Sequence, residues 1–147
     1  MLYGPMIHPE LLGALGRAGH GGKILITDGN YPSVSGTNPD AEIIYLNLAP
    51  GLLTVSQILD VVKRTIPVEQ VALMVPAADA TGIERPDSIP AHDEYRETMA
   101  GIDFVEIPRW DFYDVAKTSD VSVVVVSADQ RLYANVLLTV GVRTSDQ

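Results

Sequence analysis

The chain has 147 residues, 46% hydrophobic and 20% charged, which suits one compact domain with a real core and is too apolar for a disordered chain. Nineteen acids against ten bases give a net charge of -9, which repels nucleic acid and anionic membrane surfaces and suits a small neutral ligand. With no cysteine, disulfides, thiol catalysis and Cys-ligated zinc are excluded. No apolar run approaches the roughly 20 residues needed to span a bilayer. The start "MLYGPMIHPELL" lacks a basic segment followed by a long apolar core, so a cytoplasmic setting is expected.

"HPELLGALGRAG" predicts a short helix, with Pro9 in its first turn, Gly19 at its stop and Leu11, Leu12 and Leu15 on one face. "KILIT" (23–27) predicts a buried strand ending at the turn "DGNYP", and "EIIYLN" (42–47) a second strand. "TVSQILDVVKRTI" (54–66) predicts an amphipathic helix. Thr54 and Gln57 have capping-box spacing, and Val55, Ile58, Leu59, Val62 and Ile66 form its apolar stripe. "QVALMV" (70–75) has no alternation, so it reads as a strand covered on both faces.

A long Pro-, Gly- and Asp-rich connection follows (76–90), either a lid or a plain surface excursion. "AHDEYRETMA" predicts a helix, "DFVEIP" a strand, "RWDFYDVAKTS" a short helix, "VSVVVVS" a doubly covered strand and "VLLTVGV" a last strand. Alternating helices and wholly apolar strands indicate an α/β class chain: a three-layer α/β/α sandwich with a mostly parallel, mixed sheet and a single domain over 1–147.

In such a sheet ligands sit at strand ends, in loops. His20 lies among glycines where a helix stops. It can exchange protons near neutral pH, or simply cap the helix C-terminus. Asp28 is either ordinary Asp-Gly turn chemistry or a hydroxyl acceptor at a strand end. Arg109 and Trp110 offer a planar donor fork beside an aromatic face suited to the C–H face of a sugar. Alternatively Arg109 is a surface residue and Trp110 a core residue. Tyr133 and Asn135, two apart, share one side if extended, or mark a strand entry with a solvent-facing Tyr and a turn Asn. His8 and His92 lack metal-ligand spacing and read as surface residues, so no metal is expected. There is no P-loop, G-x-G-x-x-G or G-x-S-x-G motif.

"HPELLGALGRAGHGGKILITDGNYP", "RWDFYDVA" and "ADQRLYANVLLTVGV", in register over nearly the whole chain, resemble the D-ribose pyranase / L-fucose mutarotase family. The resemblance implies that His20 is the general acid/base and that Asp28, Arg109, Tyr133 and Asn135 bind a monosaccharide. It also implies no cofactor. Arg109, where ribose pyranases tend to have histidine, tilts the expectation toward fucose-like sugars. A ribose pyranase-like isomerase, a non-catalytic sugar-binding or transport accessory protein and a structural ring protein are the alternatives. The resemblance further implies a homo-oligomer, two stacked pentamers in a ring-like decamer, with active sites between subunits. Eight residues, fully extended, span up to about 26 Å, so His20 and Asp28 reach one sugar only if the chain folds back or a neighbour supplies a group. The expectation is that Tyr133 and Asn135 come from the neighbour. Departures are Gly29-Asn30-Tyr31 after Asp28, Ala128-Asp129 before the last motif, and the 76–90 loop, which matches least.

Overall fold

Six strands and four α-helices, described over residues 1–146 of a computed structural model, follow the order anticipated from the sequence. They are α1 (Pro9–Arg17), β1 (Lys23–Thr27), β2 (Glu42–Tyr45), α2 (Val55–Lys63), β3 (Val68–Val75), α3 (Pro90–Thr98), β4 (Asp103–Pro108), α4 (Arg109–Ala116), β5 (Val121–Val126) and β6 (Val136–Val140). A single 3₁₀ turn, Gly82–Glu84, lies inside the long 76–90 connection.

Local chemistry sets the helix ends. In α2 the Thr54 hydroxyl accepts from the Gln57 N–H at 3.3 Å while the Gln57 side chain takes the Thr54 N–H at 2.9 Å, closing the capping box. His8 Nδ1 accepts from the Leu11 N–H at 3.2 Å, so this histidine caps α1. The stop of α1 differs from expectation. Arg17 is its last helical residue and Ala18 turns extended, its N–H on the Ala14 and Leu15 carbonyls. The left-handed glycine of this bend is Gly21, at φ 78°, not Gly19.

The strands form one mixed sheet in the order β2-β5-β1-β6-β3-β4. β1 and β2 each pair in parallel with β5, and β3 with β4; β6 runs antiparallel between β1 and β3. The alternation of side chains divides the core in two. Ile24, Ile26, Val71, Leu73, Val123 and Val125 face α1, α2 and α3. Leu25, Ala72, Met74, Val124 and Val126 face Phe112 and Ala116 of α4, together with Tyr31. Both faces are covered, hence the unbroken apolar runs in β3 and β5.

Strand direction therefore makes the two ends of the sheet different. The last residues of parallel β1, β3 and β4 meet the entry into antiparallel β6 at one end. This is where open α/β sheets place ligands.

Candidate active site

Asp28 follows the last residue of β1 and Asn135 immediately precedes β6, so the antiparallel pairing sets them side by side. Their bonds are reciprocal. The Asp28 N–H donates to Asn135 Oδ1 at 2.8 Å, and Asn135 Nδ2 donates to Asp28 Oδ2 at 2.9 Å. Asp28 Oδ1 accepts the Asn30 N–H at 2.8 Å, so the turn chemistry read from Asp-Gly is present as well. Both residues are buried. Burial raises the Asp28 carboxyl above its ordinary value, and the bonds from Asn30, Asn135 and Tyr31 counter only part of that.

Tyr133 adopts φ 58°, the only non-glycine residue with positive φ among the described residues. Its segment is not extended, yet it and Asn135 line the same cleft. The Tyr133 phenol is buried, not solvent-facing, and donates to the Glu84 carbonyl. The main chain here hangs on α3: His92 Nε2–H donates to the Tyr133 carbonyl at 2.8 Å and the Tyr95 phenol to the Ala134 carbonyl at 2.9 Å. These side chains are three apart and so share a helix face. The expectation of a surface His92 is thus overturned: it is 7% exposed and packs beside Tyr95. A lone polar letter in a helix does not reveal a distant carbonyl that needs a donor.

Burial holds His92 below its ordinary value of 6.5. A depressed histidine favours folding above its unfolded pKa, and that stability is lost as pH falls from about 6.5 through the lower folded value. His92→Phe leaves a carbonyl without its donor and is expected to cost about 1–3 kcal/mol. Denaturant midpoints followed from pH 8 to pH 5 check this: the difference between wild type and variant narrows on acidification.

Arg109 opens α4 beside the same cleft. Its Nη1 lies 2.9 Å from Glu84 Oε1, and its guanidinium lies over the Trp110 ring, 4.8 Å from the centroid. Burial opposes the charge of Arg109, but bonds with Tyr113 and Glu84 outweigh it and raise its pKa. Trp110 itself is 58% exposed and does not line the main cleft. It borders a smaller recess with Arg109, Glu84 and Tyr133. It is thus not a core residue and lies outside the main cleft lining, with one face of its ring against Arg109.

Asp28, Arg109, Tyr133 and Asn135 therefore converge within one chain on a cleft of about 190 Å³. Drug-sized ligands occupy roughly 300–1,000 Å³, so this volume suits something smaller. Met74, Ile83, Leu132 and Tyr113 add apolar wall. None of these, nor Glu84, stood out in the sequence. Met74 read as one more apolar strand residue, and Ile83 and Glu84 belong to the connection whose path had no pattern.

His20 is elsewhere. It sits in the bend before β1, while Asp28 follows that strand, and five strand residues span roughly 16 Å. Its Nε2 lies 3.1 Å from Oε2 of Glu69, near the start of β3, and its side chain is 58% exposed. The expected division of groups is therefore different: Tyr133 and Asn135 share a chain with Asp28, and His20 is the group set apart. Among the described residues no three His, Asp or Glu side chains are clustered as metal ligands.

An acid–amide pair, a tyrosine and an arginine thus line one small cleft at the strand ends of a mixed α/β sheet, and groups of these kinds can hydrogen-bond hydroxyls. The chain belongs to the RbsD / FucU transport protein family, which matches residues 1–143. It is 32% identical over 147 residues to the fucose mutarotase of Bos taurus, covering 93% of this chain and 90% of that protein. The Mus musculus fucose mutarotase is 27% identical over 148 residues, covering 92% and 90%. The solved structure of the Streptococcus pneumoniae fucose mutarotase in complex with L-fucose superposes with a TM-score of 0.81 at 26% identity, over 98% of this chain and 100% of that one.

Proposed function

We propose that this chain is a sugar mutarotase that interconverts the α and β anomers of L-fucose or a close monosaccharide, without a cofactor. The observation that carries this reading is the convergence of Asp28, Asn135, Tyr133 and Arg109 on one small cleft at the strand ends. The likeness to a structure that holds L-fucose supports the choice of sugar.

Mutarotation passes through the open aldehyde. The anomeric hydroxyl loses a proton, the bond from the anomeric carbon to the ring oxygen breaks, and the ring oxygen gains a proton; closure reverses this on the other face. General acid–base groups and held hydroxyls are all the chemistry requires. Asp28 accepts hydroxyl hydrogens and Arg109 offers donors; the Tyr133 oxygen, its own hydrogen given to the Glu84 carbonyl, is a further acceptor. His20 moves the protons. With Nε2–H directed to Glu69, Nδ1 of the neutral ring is its basic atom.

His20 enters the site from a neighbouring subunit of a ring-like homo-oligomer, a decamer of two stacked pentamers acting in the cytoplasm. Two observations support the assembly. His20 lies at the far end of β1 from Asp28, and the edge strand β2 leaves Tyr45 and the following Leu48 exposed, an edge that invites cover.

Anomer-exchange NMR by saturation transfer tests the reading with L-fucose, D-ribose, L-rhamnose and D-galactose. Faster exchange of L-fucose is expected, reduced about 10²–10⁴-fold in His20→Ala. Preference for D-ribose would move the assignment to a pyranase. No acceleration of any sugar would leave a sugar binder.

A further inference from the structure

We infer that Glu84 is a specificity-determining residue of this cleft: it occupies Arg109 with the protein's own carboxylate and so reserves the site for neutral sugars over acidic ones. The inference rests on the sugar-site reading above and adds what that site rejects.

Glu84 is held over the cleft at two points. Its side chain pairs with Arg109 at 2.9 Å, and its main-chain carbonyl takes the Tyr133 phenol. The backbone that brings it there turns at Gly82, φ 60°, into the 3₁₀ segment Gly82–Glu84. Glu84 and its neighbour Ile83 both line the cleft, so the long 76–90 connection forms one of its walls.

The charges then decide. Three ionisable side chains of definite sign line the cleft: Asp28 and Glu84, acidic, and Arg109, basic. With both acids ionised the sum is one negative charge. Arg109 is the natural holder for a sugar carboxylate, because its planar fork donates two parallel N–H bonds to one. Glu84 is already on it. An acidic sugar would have to displace Glu84 or bring a third negative charge beside Asp28, and like charges this close disfavour binding. A neutral sugar meets neither cost. Its hydroxyls use the remaining N–H groups of Arg109 as donors and the carboxylate oxygens of Asp28 and Glu84 as acceptors. The same pair thus attracts one class and excludes the other.

Two probes differ only at carbon 6. L-fucose carries a methyl group there; L-galacturonate carries a carboxylate. L-galactose, with a hydroxymethyl group, controls for size. The proteins are wild type, Glu84→Gln and Glu84→Gln/Arg109→Gln, each confirmed folded by circular dichroism. Glu84 is a surface-reaching side chain, so Gln at this position is expected to leave the fold intact. Anomer exchange and calorimetric binding are measured for each sugar.

Wild type is expected to bind and turn over L-fucose and to exclude L-galacturonate. Glu84→Gln is expected to shift the ratio of L-galacturonate to L-fucose affinity about tenfold toward the acid, and the double variant to lose that gain. An unchanged ratio in Glu84→Gln, or equal use of both sugars by wild type, overturns the inference. Should wild type bind L-fucose without speeding its exchange, the mutarotase reading falls, while the binding ratio still decides the role of Glu84. Binding of L-galacturonate and not L-galactose by wild type would sink the inference directly.

Discussion

Chains carrying His20→Ala, co-expressed in equal amounts with chains carrying Asp28→Asn, are expected to recover about a quarter of wild-type exchange activity, although either variant alone retains about 1% or less. The geometry sets the expectation. β1 separates the two residues, and within one chain the strand keeps them roughly 16 Å apart. Under the proposed assembly each site joins His20 of one subunit to the Asp28 cleft of the next. In a random mixture half of the histidines are intact and half of the clefts are intact. The product of the two is about one quarter.

A matched control separates this from mere co-stabilisation. Asp28→Asn and Asn135→Ala both damage the cleft side, because the two residues bond each other at 2.8 and 2.9 Å. Mixing them leaves every cleft defective, so no recovery is expected. If the first mixture shows no more activity than its parents, His20 does not work across a subunit boundary and the proton-transfer group must be sought inside the cleft.

The sequence carried the elements better than their meeting points. α2 was legible because Thr54, Gln57 and the apolar stripe from Val55 each report on neighbours within one or two turns. β5 was legible because β-branched residues run through it without a break. The antiparallel place of β6 was not, since direction within a sheet leaves no local mark on five residues, four of them apolar. The candidate site divides in the same way. Asp28, Arg109, Tyr133 and Asn135 stood out as candidates through motifs at element ends, and they line one cleft. The expectation that Tyr133 and Asn135 reach the site from a neighbour did not foresee that both lie beside Asp28 in the same chain, because spacing along the sequence says that His20 and Asp28 are distant without saying which of them has the other groups beside it. His92 and Glu84 were missed for a common reason: each acts on a group about 25 to 40 residues away, the Tyr133 carbonyl and the Arg109 guanidinium. Trp110 was weighed as a core residue or a sugar platform, and instead its ring lies under Arg109.

Arg131→Met is expected to cost about 3 kcal/mol, the lower end for removing one partner of a buried ion pair, and to lower the melting temperature by about 10 °C. Asp129 is the reason. Its side chain is only 2% exposed. It accepts from Arg131 Nε at 3.0 Å, Arg131 Nη2 at 2.7 Å, the Arg131 N–H at 3.1 Å and the Val55 N–H at the start of α2 at 3.1 Å. Arg131 also reaches Glu94 at 2.9 Å and Ser56 at 3.1 Å, so one guanidinium joins α2, α3 and the turn that leads to Tyr133 and Asn135. Methionine keeps much of the stem and removes the charge, leaving Asp129 buried with main-chain donors alone.

The pH dependence distinguishes this from simple loss of packing. Burial alone would raise the Asp129 carboxyl; bonds from Arg131 and Val55 outweigh it and hold it below the ordinary 3.8. A depressed carboxyl contributes stability above its unfolded pKa and loses it as pH falls through the lower folded value. Without the guanidinium, burial prevails and the carboxyl rises. Its contribution is then present below about 3.8 and lost as pH increases through the raised value. The melting-temperature gap between wild type and Arg131→Met should therefore widen from pH 4 to pH 7. A gap that stays constant across that range would mean that Arg131 stabilises the fold through its stem and not through its charge, and that the turn before β6 is held mainly by His92 and Tyr95.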